Sequence, residues 1–475
     1  MTNRVTRGAA AFVIAACALA PSAAFAQKSG GILRTYNSSN PPSASIIEEA
    51  TIATAFAFAP IFNNLVIFDQ AEPINKPEVI RPELAESWAW DATNTRLTMK
   101  LRQGVKWHDG KPFTSADVKC TWDRILGKDP DAFRKNPRKL WWTNIKEIEI
   151  KGDHEFTFVL ERPQASFLSL LASNMSPVYS CHAPTRDMRT KPIGTGPFKF
   201  VSFEANNVIR MERNKDYWRE GRPYVDGIEV RIIGNRSTRL LAFSANEFDI
   251  TFVADVTAPL VGDVKARSPQ ATCELVPSGV STNLLVNREK PPFDNPKLRE
   301  AMTLALDRDA MVKIVTAGKA SISGAMMAEP EGNWGMPKAM LEQFAEYAGT
   351  PAERREKARK IMQELGYGPS NKLKIKVGTR DFQAFKDPAV LLVDQLNQIY
   401  FDAELEIIES TLYYGRVTRG DYAVVLNLTG SGVDEPDVTM VESYSCGSER
   451  NYTKYCNKDV DRLIDAQSRE IDVAK

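Results

Sequence analysis

The chain has 475 residues, with 61 basic and 60 acidic side chains and a net charge near +1 at neutral pH. That balance offers no basic face to a polyanion, so nucleic acid is not indicated as a ligand. The length exceeds one ordinary hydrophobic core, so two or more lobes are expected, and no solenoid repeat, heptad run or low-complexity tract is seen.

Arg4 and Arg7 open a basic stretch, Gly8 to Ala20 form an apolar run, and Ala24-Phe25-Ala26 before Gln27 is a small-x-small cleavage site. Residues 1–26 therefore read as a signal peptide. The run is shorter than the about 20 residues that a bilayer span needs. Ile14-Ala15-Ala16-Cys17 also fits a lipobox, which would leave a lipid-anchored Cys17; the short run before it and the Ala-x-Ala site after it favour simple cleavage. Either way the mature protein lies outside the cytoplasmic membrane, in the periplasm. Cleavage takes away Arg4 and Arg7 and no acid, leaving 59 basic against 60 acidic residues, and it leaves five cysteines, at least one of them unpaired.

Leu97, Met99 and Leu101 alternate with Thr98, Lys100 and Arg102, the period-2 pattern of a strand with one buried face. His108-Asp109-Gly110 turns the chain. Thr114 is a candidate N-cap with Asp117 three residues on, and Val118, Trp122 and Ile125 share a helical face. Cys120 in that helix reads as a core thiol. Trp141-Trp142 offers a stacking platform or, more commonly, a core anchor. Residues 276–287, small and β-forming, are the candidate hinge strand. A helix is predicted over 296–315, capped by Asn295 with Pro296 at its first position. Another starts at the capping box Thr350-Pro351-Ala352-Glu353 and stops at Gly366. Strand 375–379, helix 388–400 capped by Asp387, strand 405–408, helix 412–419 and strand 422–428 follow. Such alternation predicts a parallel α/β sheet, whereas the first half is α+β in texture. At the chain's end Leu463, Ala466 and Ile471 fall near one face of a last helix.

Open α/β sheets bind ligands beyond the carboxyl ends of their strands. That rule picks out Thr379-Arg380-Asp381 and Thr429-Gly430-Ser431-Gly432. Arg380 can hold a carboxylate in a bidentate fork, or be a surface arginine paired with Asp381 or Asp387. Gly430 and Gly432 permit close backbone approach to a ligand. Across the cleft, Tyr36-Asn37-Ser38-Ser39-Asn40 offers hydroxyl and amide groups, with Ser38 and Ser39 as candidate contacts. Catalysis has little support. The three histidines, His108, His154 and His182, have no metal-protease spacing, and no Gly-x-Ser-x-Gly elbow occurs. His108-Asp109 has the look of a catalytic pair, but neighbours on a turn commonly point apart. No Cys-x-x-Cys and no His/Cys/acid cluster indicates a metal or cofactor.

Leu101-Arg102-Gln103-Gly104-Val105-Lys106-Trp107-His108-Asp109-Gly110-Lys111-Pro112-Phe113-Thr114 closely resembles the signature of family 5 extracellular solute-binding proteins, the peptide receptors of bacterial ABC importers. Further segments match in order: Gly30 to Arg34, Pro82 to Trp88, Pro192-Ile193-Gly194-Thr195-Gly196-Pro197-Phe198, Asn214 to Trp218, Pro292 to Pro296, and Ala305 to Arg308. The resemblance implies a two-lobed α/β periplasmic-binding-protein fold of the large three-domain type, with mixed sheets and flanking helices. It places lobe I at 27–280, with an inserted subdomain at about 66–190, and lobe II at 281–475. It implies a monomeric receptor that closes over a small molecule, a short peptide, and docks on permease subunits. A receptor for a non-peptide carboxylate, an opine or a metal chelate held through Arg380 is the alternative within the fold; a secreted hydrolase is the alternative outside it.

Site roles follow by the same resemblance. Arg380 stands where dipeptide-binding relatives grip the peptide carboxylate. Those relatives carry an Asp for the ligand's amino group where this chain has Ser431. A neutral hydroxyl cannot supply that charge-assisted bond, so Asp434 is the candidate replacement. Cys446 and Cys456 resemble a disulfide loop of the dipeptide-binding protein, a closure that contributes roughly 2–3 kcal/mol. The pairing of Cys181 with Cys273 stays open. In the family a last segment returns to lobe I; here none follows the final helical pattern, so the return segment is expected to be missing.

Overall fold

The structure is a computed structural model and describes residues 28–472 except 135, 254, 277, 330, 431 and 432. The proposed signal peptide, Cys17, Ser431 and Gly432 thus lie outside the described residues. Among the described residues no helix is long and apolar enough to cross a membrane.

Side-chain alternation dictates the first-half pairing. In Arg96–Leu101, Leu97, Met99 and Leu101 are buried while Lys100 is exposed. This strand sits second in an antiparallel sheet ordered Ala85–Trp90, Arg96–Leu101, Glu155–Leu160, Ile145–Ile150. The helix Ser115–Leu126 starts with the reciprocal capping box of Thr114 and Asp117, whose carboxylate accepts from the Thr114 N–H at 3.0 Å. It buries Trp122 edge-on against Phe158 and Trp142. Trp141 and Trp142 are core side chains, each 2% exposed.

Cys120 corrects the reading of its helix. It is not a core thiol but is disulfide-bonded to Cys181, and Cys273 is free. Arg124, one turn on, donates to the carbonyls of Ser180, Cys181 and Ala183 and so carries that loop onto Cys120. The pairing joins residues 61 apart, which no local pattern links.

A second sheet places Ile32–Asn37 parallel to Gly227–Ile232, which pairs antiparallel with Val208–Arg213 and, through it, with Phe198–Glu204. Among the described residues no strand lies on the outer side of Ile32–Asn37. The Gly194-Thr195-Gly196 segment packs on this lobe's backbone. A Cβ on Gly194 would lie 1.8 Å from Ile61 O, and one on Gly196 would lie 2.5 Å from Ile61 C. Those glycines are needed for close approach, not for a ligand.

The third sheet is ordered Ser281–Val286, Val424–Thr429, Leu373–Arg380, Phe401–Ile408. The last three strands are parallel as expected, but Ser281–Val286, the candidate hinge strand, joins antiparallel and makes the sheet mixed. Helix boundaries also depart from expectation. The helix over 296–315 is two, Pro296–Ala305 and Arg308–Thr316, because Asp307 accepts from the Ala310 N–H and starts a second helix. The helix Gln383–Asn397 contains Pro388 within it, and Asp387 accepts from the Gln383 side chain instead of capping. Burial of Phe385, Ala389, Leu392 and Leu396 outweighs the proline penalty. In the last helix, Lys458–Arg469, the inward residues are Ile464 and Ser468, Leu463 is 64% exposed, and Ile471 lies beyond its end. That helix touches the first half: Arg162 pairs with Asp465 at 2.7 Å, and the Ala165 N–H donates to Ser468 O.

Two apolar cores result, one per lobe. Each borrows from the other half of the chain: Tyr36, Phe248 and Phe252 lie in the second core, and Val433 and Val438 in the first.

Candidate functional site

Arg380 ends the strand Leu373–Arg380, at the carboxyl edge of the third sheet. It is 4% exposed. Its Nε donates to Ser410 Oγ (3.2 Å), and its Nη2 reaches across to Thr51 Oγ1 in the other half of the chain (3.3 Å). Phe382, Phe385 and Tyr414 rings surround the guanidinium at 5.6–5.8 Å. Neither expected structural partner takes it: Asp381 pairs with Lys386 at 2.9 Å, and Asp387 binds Gln383. Among the described residues no carboxylate lies within ion-pair distance of Arg380. A buried guanidinium without a counter-charge is costly, and an anion brought between Arg380 and Thr51 removes that cost.

Beyond the end of Val424–Thr429 lies a small pocket, partly open to solvent. Gly430, Asp434, Glu435 and Glu442 line it, with Met326 and Met327 as apolar wall. Glu435 immediately precedes the helix Pro436–Tyr444, so residues 435, 438, 439 and 442 present one helical face to the cavity. Gly430 is required here by the protein's own backbone, since a Cβ would meet Gly279 O at 2.3 Å.

The acidic residues differ in what they do. The Asp434 carboxylate accepts from the Asn333 N–H (2.8 Å), and its carbonyl accepts from Trp334 Nε1 (3.2 Å), so Asp434 anchors a neighbouring loop. Burial raises its pKa although that hydrogen bond lowers it. Glu442 is held by Arg450 at 2.6 Å. Glu435 is 6% exposed and makes neither a side-chain cap nor an ion pair among the described residues. Burial, then the charges of Asp437 and Asp434, push its pKa up to about 8. Sequence reasoning selected Asp434 and passed over Glu435; a carboxylate directly before the first residue of a helix reads as an ordinary cap, and only the fold reveals that it does not cap.

The remaining candidates lie elsewhere. Arg380, Ser38 and Ser39 do not line this cavity. The Ser39 hydroxyl is buried without a hydrogen-bond partner, while the Asn37 side chain donates to Ala53 O and Asn40 accepts from the Asn206 N–H. His108 and His182 hydrogen-bond within the fold. His108 accepts at Nδ1 from the Gly194 N–H, which makes Nε2 the donor to Gly196 O, and burial pushes its pKa down to about 4. Asp109 pairs with His182, not His108, and Ser180, whose hydroxyl meets His182 Nδ1, is fully buried. Cys446 and Cys456 are disulfide-bonded and close a polar loop beside Tyr444 and Tyr455. Among the described residues no group of His, Cys, Asp and Glu side chains is placed to hold a metal ion.

Comparison with known proteins agrees with this architecture. The sequence model of the bacterial extracellular solute-binding proteins, family 5 Middle, matches residues 79–451. Di/tripeptide-binding protein 1 of Pseudomonas aeruginosa is 27% identical over 447 residues, covering 87% of this chain and 79% of that protein. Two solved structures share the fold. One is the periplasmic binding protein DppA of Helicobacter pylori in complex with peptide STSA, at 23% identity and TM-score 0.80, covering 94% of this chain and 88% of that one. The other is Haemophilus influenzae OppA in complex with RPPGFSPFR, at 20% identity and TM-score 0.82, with the same coverage.

Proposed function

Because the chain belongs to the bacterial extracellular solute-binding proteins of family 5, we propose that it captures a short peptide or peptide-like molecule in the periplasm and delivers it to the permease of an ABC importer. Arg380 takes the ligand's carboxylate together with Thr51. Glu435 takes its ammonium group, with Ser431 and Gly430 on the adjoining loop. Asp434 holds that loop in place, in contrast to its expected role as the amine anchor. Residues 1–26 direct export, lobe I spans 27–280 and lobe II 281–475, and the protein works as a monomer.

The observation that carries this reading is Arg380: a buried cation at a strand's carboxyl end, unpaired by any carboxylate among the described residues, whose Nη2 touches the opposite lobe. A ligand carboxylate placed there contacts both lobes only when they are closed. Such contacts shift the open–closed equilibrium toward the closed form. No covalent step is involved, so a bound peptide is returned unchanged.

Mass spectrometry of ligand co-purified with unrefolded protein identifies the solute. Isothermal titration with free, N-acetylated and C-amidated di- and tripeptides then tests the two anchors: both blocked forms should bind more weakly than the free peptide. If no peptide raises the melting temperature at saturating concentration, the peptide reading is wrong.

A further inference from the structure

A second group of buried polar atoms lies apart from the Arg380–Thr51 contact, and both halves of the chain build it. Arg138 and Trp141 come from the first half, Glu442 and Arg450 from the second. Arg138 is 4% exposed; its Nη1 donates to the Glu49 backbone carbonyl (3.1 Å), and its guanidinium lies 5.8 Å from the centre of the Trp141 ring. Arg450, Glu442, Tyr452 and Tyr414 are the charged and phenolic groups acting on Arg138, so all five share one locality.

The polar inventory there does not balance. Glu442 Oε2 accepts from Arg450 Nε at 2.6 Å. Arg138 Nε, Arg450 Nη1 and Trp141 Nε1 are buried donors without an acceptor among the described residues, against one unpartnered acceptor, Glu442 Oε1. Arg450 has the Glu442 carboxylate as its partner, whereas Arg138 has no carboxylate within ion-pair distance among the described residues. Burial, then the neighbouring Arg450, hold the Arg138 pKa down to about 10. A surplus of buried donors and positive charge is relieved by an anion.

Arg380 is linked to this cluster through two aromatic rings. Its guanidinium lies 5.7 Å from the Tyr414 ring, and Tyr414 lies 6.4 Å from Tyr452, which borders Arg138 and Arg450. A peptide of a few residues spans such a distance.

We propose that Arg138 and Arg450 form a second anion subsite, so that the receptor selects peptide-like ligands carrying an acidic group in addition to the carboxylate held by Arg380. This rests on the peptide reading above. An acidic group bound between Arg138 and Arg450 also joins the two halves of the chain and so favours closure.

The test uses the exported full chain and matched di- and tripeptides that differ only in Glu or Gln at one position, titrated calorimetrically. At least one Glu peptide should bind about 30-fold or more tightly than its Gln twin, and Arg138→Gln should bring that ratio close to one. Arg138→Lys keeps the buried charge but loses the planar fork, and carries the test should the Gln variant not fold; the ratio then falls about tenfold. Equal affinity of every Glu and Gln pair for the unaltered protein, or an unchanged ratio in the variant, overturns the subsite and leaves the receptor reading standing. Failure of every peptide in both sets to bind overturns the receptor reading and the subsite with it.

Discussion

If Glu435 holds the ligand's ammonium group, affinity must rise with pH across the neutral range. The carboxyl of the free protein is pushed from its ordinary value of 4.5 up to about 8, chiefly by burial. Only the ionised form attracts an ammonium group, so the apparent dissociation constant is the intrinsic one divided by the ionised fraction. That fraction is about 0.01 at pH 6, about 0.1 at pH 7 and about 0.5 at pH 8. Kd for a free-amine dipeptide should therefore fall about tenfold from pH 6 to pH 7 and only about two- to threefold more by pH 8, because the peptide's own amine, with pKa about 7.7–8.0, loses its proton over that last interval. Between pH 6 and 7 binding should release close to one proton, read by calorimetry in buffers of different ionisation enthalpy. Glu435→Gln should weaken binding and flatten the lower limb. The linkage has the opposite sign for stability: between pH 4.5 and about 8 the folded chain keeps a proton that the unfolded chain has lost. The ligand-free protein should lose about 1.4 kcal/mol per pH unit through this group in that window, a slope absent from Glu435→Gln. A Kd for free-amine peptides that is flat from pH 6 to 8, with no proton release, would refute the assignment.

Arg380→Ala should weaken binding by about 2–5 kcal/mol, as for a buried charged pair losing one partner, with little change in the melting temperature of the ligand-free protein. A large loss of that stability with unchanged affinity would mark it as structural. Asp434→Asn should keep the affinity for free-amine peptides within a few-fold while lowering stability, because its carboxylate serves the Asn333 N–H; abolished binding would return the amine role to it. Replacing Cys120 and Cys181 by Ser opens a loop with a sequence separation of 61 and should cost about 4 kcal/mol on the loop-entropy model. The Cys446–Cys456 pair, at separation 10, should cost about 3 kcal/mol; urea denaturation distinguishes the two. Gly194→Ala should destabilise by about 3 kcal/mol or abolish folding, since its Cβ meets the Ile61 backbone; a neutral result would show that the Gly194 segment and Ile61 can separate.

Much of the local structure was legible in the amino-acid sequence, because it is decided within a few residues. The Arg96–Leu101 strand shows in its alternation. The boxes at Thr114–Asp117 and Thr350–Glu353 are formed as read, since a cap needs only a side chain three residues from a backbone N–H. Family membership was also legible, through motifs such as Gly194-Thr195-Gly196 whose glycines answer to close packing. Where local signals compete, the fold decided: Asp307 divides a continuous apolar pattern, and Pro388 is carried inside a helix that its buried face holds in place. Long-range pairing was beyond local reading. Cys120 meets Cys181 because side chains of its helix, Asp117, Thr121 and Arg124, hold the backbone around Cys181 against it. The site shows the same division. A strand's carboxyl end pointed to Arg380 from sequence alone, yet only the tertiary structure leaves Arg380 and Glu435 without the neighbours that would neutralise them, while giving Asp434 a loop to hold. A side chain's chemistry is written at its own position; whether it has a partner depends on residues hundreds of positions away, and that is settled by packing.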